Sequence, residues 1–317
     1  MKRILTIDGG GIKGTFPASF LASVEETTGK SVANYFDLIV GTPTGGIIAL
    51  GLGLGMPARD ILGFYEEYGP KIFSKPPLRS RLFSAFKAKY EPVMLHQALE
   101  ERFGDKRIGD SKVRLIIPSV NLETGEVYLY KTAHHSRLKK DYKEKAIEAA
   151  RATSAAPSYF PSYITSSGLP LLDGGVWANN PMGVAIVEAT TVLEWHSSQI
   201  QLLSLGCTQE PFKAEKARVK AKGWAYWANN AAELFMSAQS SASSGMAKLL
   251  LGGDERIYRI NPVVPRGRFK LDNISGIEAL RGLGESEARK EIPILEVQFL
   301  KFPVDPFEPY YNLLKIK

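Results

Sequence analysis

Two hydrophobic periods alternate along this chain. Lys2 to Ile7 is a short, mostly apolar run that reads as a buried strand, and Asp8-Gly9-Gly10-Gly11-Ile12-Lys13-Gly14 follows at once. From Thr15 to Thr28 large side chains recur at helical spacing (Phe16, Phe20, Val24), and Gly29 ends the pattern. Leu38 to Val40 reads as a second strand, Gly41-Thr42-Pro43-Thr44-Gly45 as a turn, and Ile47 to Leu54 as a helix. Pro57 to Gly69 predicts an amphipathic helix that opens at a proline. Val93 to Phe103 predicts another, stopped by Gly104.

Lys112–Asn121 and Glu126–Tyr130 predict strands on either side of a Glu123-Thr124-Gly125 hairpin signal, and Tyr142–Thr153 a helix. Ala152 to Pro161 is a small-residue stretch broken by prolines. Leu169-Pro170-Leu171-Leu172 is a further strand ending in Asp173-Gly174-Gly175. A helix then runs to about Trp195, with Asn180 as its cap and Pro181 as its first residue. Ile200–Leu205 and Glu255–Ile260 read as strands. Trp224–Leu251 reads as a long Ala- and Ser-rich helix, and Glu285–Phe299 as a helix interrupted by Pro293. Strands alternating with helices predict an α/β fold with a mostly parallel sheet. No repeat or low-complexity linker divides the chain, so one domain with insertions is expected.

Length and composition narrow this picture little. At 317 residues, with 44% hydrophobic and 23% charged side chains, the chain fits an ordinary globular protein. Its single cysteine, Cys207, excludes an internal disulfide and fits a reducing compartment. The opening apolar run is too short for a secretory signal, and the uncharged stretch from Leu38 to Ala58 is too broken by glycine, threonine and proline to span a membrane. A cytoplasmic location is therefore expected. The net charge of +7 allows anionic partners: nucleic acid, a nucleotide or an acidic lipid surface. Two stretches concentrate it. Residues 71–90 hold six basic side chains, four aromatics and two prolines without an acid, which suits either a lid meeting lipid head groups or a solvated loop. Residues 213–222 hold five basic side chains and one acid, Glu215.

The chemistry lies in the turns. A glycine-rich turn between strand and helix leaves backbone N–H groups free to meet an anion. Gly9-x-Gly11-x-x-Gly14 fits the dinucleotide fingerprint in form, but the nearest acid, Asp37, precedes its strand instead of ending it. The alternative is an oxyanion hole, which the next strand favours. Leu38-Ile39-Val40-Gly41-Thr42-Pro43-Thr44-Gly45 has the strand–turn–helix form of a nucleophile elbow, with proline in the nucleophile's place. Asp173, at a strand end before two glycines, is the candidate base. Of the four histidines only His196 follows Asp173, at a helix end, so a histidine-dependent triad is poorly supported. No cluster has metal-ligand spacing, and no cofactor is implied.

Asp8–Gly14, Gly41–Gly46 and Asp173–Gly175, in that order, resemble the patatin-like phospholipases over residues 2–205 or so. The resemblance implies a three-layer α/β/α fold and a Ser–Asp dyad that cleaves membrane phospholipid esters. It makes Asp173 the base and places an oxyanion hole in Gly9, Gly10, Gly11, Lys13 and Gly14. Gly41, Thr42, Thr44 and Gly45 form the elbow around position 43, and residues 206–317 are a C-terminal extension of a single 1–317 domain. In general likeness the chain is similar to bacterial members activated by cyclic oligonucleotides in antiphage defence. That implies a cyclic dinucleotide activator, a peripheral position at the inner membrane surface, no nucleic-acid partner, and an oligomeric state left open.

Pro43 departs from the family pattern. It has no hydroxyl to acylate, and its ring favours φ near −65°, so the turn is expected to relax. The hydroxyls of Thr42 and Thr44 are expected to point elsewhere. Three readings stay open: an engineered or incidental loss of serine (one base separates TCN from CCN), a natural pseudoenzyme that still binds lipid or nucleotide, or a protein of other function.

Overall fold

The computed structural model describes residues 1–74, 88–210 and 224–313, the side chains of 224–233 excepted. The 213–222 run and most of the 71–90 segment therefore lie outside the described residues. Eight strands form one sheet: β1 (Lys2–Ile7), β2 (Leu38–Gly41), β3 (Arg114–Asn121), β4 (Val127–Lys131), β5 (Tyr163–Ile164), β6 (Pro170–Asp173), β7 (Ile200–Leu205) and β8 (Ile257–Ile260). Their order is β5-β6-β3-β2-β1-β7-β8, with β4 also paired to β3. From β3 to β8 every neighbour is parallel; β4, β5 and β6 join antiparallel.

Successive strand residues point to opposite faces, and both faces are buried, so the strands are continuous apolar runs. Leu5, Ile39, Leu115 and Leu203 face one layer: α1 (Thr15–Thr28), α2 (Thr44–Gly53), α3 (Ala58–Ile72), α4 (Val93–Phe103), α5 (Ala146–Thr153) and α9 (Ile277–Gln298). Ile4, Leu38, Ile116 and Leu202 face the other, where α7 (Met182–Thr191) and α8 (Trp224–Leu251) pack. A one-turn helix, α6 (Gly175–Ala178), follows β6. No described helix is long and apolar enough to cross a membrane.

Several boundaries differ from the sequence expectation, each for a local reason. The helix expected from Tyr142 begins at Ala146, because Lys145 is extended and bridges to Arg107. Helix α7 ends at Thr191 rather than near Trp195. Its last residues, Thr190 and Thr191, and the capping Val192 are β-branched and crowd the preceding turn, and Glu194 takes a left-handed φ of 55° that reverses the chain. Helix α9 starts at Ile277, not Glu285, and passes through Pro293 unbroken. Gly282 and Gly284 had hidden its first half. At Gly284 the helix meets the backbone of α1 so closely that a Cβ would lie 2.6 Å from the Phe16 carbonyl oxygen.

Candidate active site

Strands β1 and β2 are parallel neighbours with Ile7 opposite Gly41, so the turns after them sit side by side at the sheet's carboxyl edge. The elbow is a tight turn. A Cβ on Gly41 would stand 2.0 Å from the Gly45 carbonyl oxygen, so a glycine is required there. The Thr42 N–H donates to Ile7 O at 3.2 Å and Gly45 N–H to Thr42 O at 2.8 Å, fixing both arms. Helix α2 starts at Thr44. Pro43 holds φ 11° and ψ −92°, well away from the value its ring favours. The expectation that proline would relax the turn is therefore corrected: the packing of Gly41 on Gly45 and the bonds at Thr42 and Gly45 set this bend, and the ring conforms to it.

The elbow hydroxyls are turned into the protein. Thr44 Oγ1 lies 2.6 Å from Tyr65 Oη, which donates to the Thr44 carbonyl at 2.9 Å. Thr42 is fully buried, with its hydroxyl unpartnered among the described residues.

Strand β6 brings the acid. It runs antiparallel to β3, pairing Asp173 with Ser119, beyond the level at which β2 ends. Asp173 thus reaches the carboxyl edge from above instead of rising from it. Its Oδ1 accepts the Gly175 N–H, and its backbone N–H donates to Ala155 O at 3.1 Å, within the proline-broken stretch. Burial raises its pKa to about 7, with the Gly175 N–H drawing it back. The place a Cβ on Gly175 would take is 2.9 Å from Asp173 Oδ1 and 3.4 Å from Pro43 Cγ. The two side chains are therefore no farther apart than those lengths laid end to end. None of the four histidines hydrogen-bonds Asp173 among the described residues. His134 is buried between Thr132 and Glu188 on the far side of the sheet, and His196 caps a turn at Ser198.

The glycine loop lies against this pair. A Cβ on Gly9 would be 3.1 Å from Pro43 Cδ, and Gly9 N–H donates to Asn179 O at 2.9 Å. Gly11 has a left-handed φ of 57°. The Ile12 N–H donates to Leu271 O at 2.8 Å, and Lys13, half-buried, closes a 3₁₀ turn onto Gly10 O. The Gly10 and Gly11 amides, like that of Thr44, have no acceptor among the described residues. Gly10 and Gly11 head a 3₁₀ turn and Thr44 heads α2, where first-turn N–H groups are free to meet an anion. Gly14 packs on the Thr44 hydroxyl, joining the loop to the elbow.

Asp37 lies elsewhere, holding Lys2 at 3.0 Å and the Arg3 N–H at 2.9 Å where β2 begins. Among the described residues no group of three metal-ligating side chains gathers. Sequence reasoning gave no site role to Asn179, Cys207, Arg259 or Leu271. Asn179 Oδ1 is 3.0 Å from the Gly175 Cβ position, Cys207 donates its S–H to Asp8 O, and Arg259 pairs with the Asp8 side chain. The Asn180-Pro181 cap signal bordered Asn179, and Cys207 stood out only as the single cysteine.

The family model described as patatin-like phospholipase matches residues 5–186, which include all three turns. The chain belongs to the patatin-like phospholipase family. Among its patatin relatives, a cGAMP-activated phospholipase of Pseudomonas aeruginosa is 34% identical over 253 residues, 79% of this chain and 76% of that one. A cGAMP-activated phospholipase of Vibrio cholerae is 35% identical over 241 residues, 69% of this chain and 68% of that one. Among solved structures, VipD from Legionella pneumophila matches 92% of this chain and 67% of its own, with a TM-score of 0.48 and 12% identity.

Proposed function

We propose that this chain is the inactive form of a lipid acyl hydrolase whose parent carries serine at position 43. The observation behind it is the facing of Pro43 and Asp173 beside unpartnered amides at Gly10, Gly11 and Thr44. With serine present, Asp173 takes the hydroxyl proton as Oγ attacks the ester carbonyl, and the amides receive the charge on the carbonyl oxygen. Collapse of that intermediate breaks the ester bond, and Asp173 returns its proton to the departing alcohol. Asp173 then deprotonates a water that releases the fatty acid. A carboxyl pKa near 7 suits a base working near neutrality. Proline offers no hydroxyl, and loss of the nucleophile costs about a million-fold in a comparable concerted site.

The substrate class follows the family, membrane phospholipids, and the relatives' activation by cGAMP is the reason to propose a cyclic dinucleotide effector. Such an enzyme would work from the cytoplasm on the inner membrane surface. The test is Pro43→Ser, read as fatty-acid release from mixed-phospholipid vesicles with and without cGAMP. Release confirms the hydrolase. No release under either condition overturns it, and release indifferent to cGAMP overturns the gating.

Pro43 itself favours a second reading, a binding module that holds lipid or nucleotide without turnover. Vesicle or cGAMP binding by the unaltered chain, with Pro43→Ser inert, would replace the first reading with this one.

A further inference from the structure

The glycine loop begins at Asp8, whose side chain is buried at the sheet edge with its carboxylate in the interior. Among the described residues its carboxylate has a single side-chain partner. Arg259 Nη1 donates to Oδ1 at 3.2 Å and Nη2 to Oδ2 at 2.6 Å, the two-pronged geometry that a planar guanidinium makes and an ammonium cannot. The fork is held in turn: Nη1 also donates to Ser204 Oγ at 2.6 Å, from β7. Arg259 lies on β8, paired with Ser204, and so stands outside the span of residues 5–186 that carries the family's motifs. Burial alone would lower its pKa, but the charge and hydrogen bonds of Asp8 push it up.

We infer that Arg259 is a positioning residue for the oxyanion-binding loop, acting through Asp8; this rests on the acyl-hydrolase reading above. Two effects follow from the pairing. The first is mechanical. Asp8 is where the loop leaves β1, with Gly9 bonded to Asn179 just beyond it. Its backbone is bonded to Leu205 and Cys207, and its side chain to β8, so the amides that follow start from a set direction. The second is electrostatic. A bare carboxylate next to the amides would oppose negative charge building on a substrate oxygen, and in a buried site that opposition is far stronger than in water. The guanidinium cancels it. Arg259 touches no reacting atom.

The experiment uses the full chain carrying Pro43→Ser. Arg259→Met there is expected to lower kcat at least tenfold while KM stays within twofold. Adding Asp8→Asn to Arg259→Met, which removes the stranded charge, is expected to recover at least threefold of the lost kcat. All variants are assayed at a temperature where each is fully folded, so that a change in stability alone moves neither kcat nor its recovery. Unchanged kcat in Arg259→Met, or no recovery on adding Asp8→Asn, overturns the inference. Should Arg259→Met not fold, Arg259→Lys keeps the charge without the fork, and its kcat is expected to fall threefold or more; an unchanged kcat overturns the inference equally. If Pro43→Ser releases no fatty acid, the hydrolase reading fails by itself. The clamp is then read in the unaltered chain by hydrogen exchange. The hydrogen-bonded amides of Gly9 and Ile12 should exchange at least tenfold faster in Arg259→Met, and unchanged exchange there overturns it.

Discussion

Asp173 and Pro43 meet across Gly175. The vacant Cβ position of that glycine touches the carboxylate oxygen at 2.9 Å and the proline ring at 3.4 Å. Any side chain at 175 would enter the space between them. The carboxylate is held by the Gly175 N–H and otherwise looks toward a ring that can neither donate nor accept. A buried acid so placed keeps its proton to higher pH, and its pKa of about 7 follows from desolvation.

In the Pro43→Ser background, Asp173→Asn should lower fatty-acid release by about 10²–10⁴-fold, the usual loss when a general base is removed. Circular dichroism should stay unchanged, because the amide fills the same space. Activity within threefold of Pro43→Ser would exclude Asp173 as the base.

The same side chain sets a pH dependence of activity and of stability. In the proposed role Asp173 acts only when deprotonated, so release by Pro43→Ser should rise with pH through about 7. For stability, the folded pKa lies above the unfolded value. Between roughly pH 4 and 7 the folded state binds the extra proton, so this residue's contribution falls as pH rises and levels off above 7. Asp173→Asn should therefore raise the melting temperature more at pH 8 than at pH 5. An equal shift at both would contradict the raised pKa.

On the opposite face of the sheet, Glu188 accepts from Lys131 at 2.6 Å and pairs with His134 at 2.9 Å. Burial would raise its pKa, but these partners together lower it. A depressed carboxyl contributes stability at neutral pH that is lost as pH falls through its folded value, so this network should weaken in acid. Glu188→Gln leaves Lys131 without its counter-charge in a mostly buried setting, at a cost of about 3 kcal/mol. Chemical denaturation at pH 7 measures it; a change below about 0.5 kcal/mol would show the lysine reaching solvent instead.

Gly41→Ala would set a methyl 2.0 Å from the Gly45 carbonyl oxygen, backbone against backbone. The bend must open, and a loss of about 3 kcal/mol is expected by denaturant titration. In the Pro43→Ser background the same change should remove activity even below the melting temperature. An active Gly41→Ala variant would show that the bend is not needed.

Sequence periodicity located elements whose ends carry their own stop signals. Gly29 takes a left-handed φ of 64° after Thr28, and Gly104 closes the helix at Phe103. It failed where stop signals were false. Gly282, Gly284 and Pro293 lie within one helix, which packs closely on α1 at Gly284, and Pro70 lies within α3. The two-residue strand β5 is too short to show a period at all. The three motif turns were legible because their glycines answer to backbone geometry, which is local. Arg259 and Leu271 were not, since each reaches the loop by strand order and packing, more than 250 residues from Asp8 and Ile12 along the chain.

That long reach bears on where the molecule could be severed. The family's three motif turns all lie before residue 186, yet the glycine loop is secured by Leu205, Cys207, Arg259 and Leu271. A fragment ending near residue 205 would keep every signature and lose most of the loop's anchors, and β7 would become a raw edge open to pairing with another chain. The smallest unit that retains this site's shape extends at least through Leu271, and Asp272 beside it ties Lys89 and Tyr90 to the same seam.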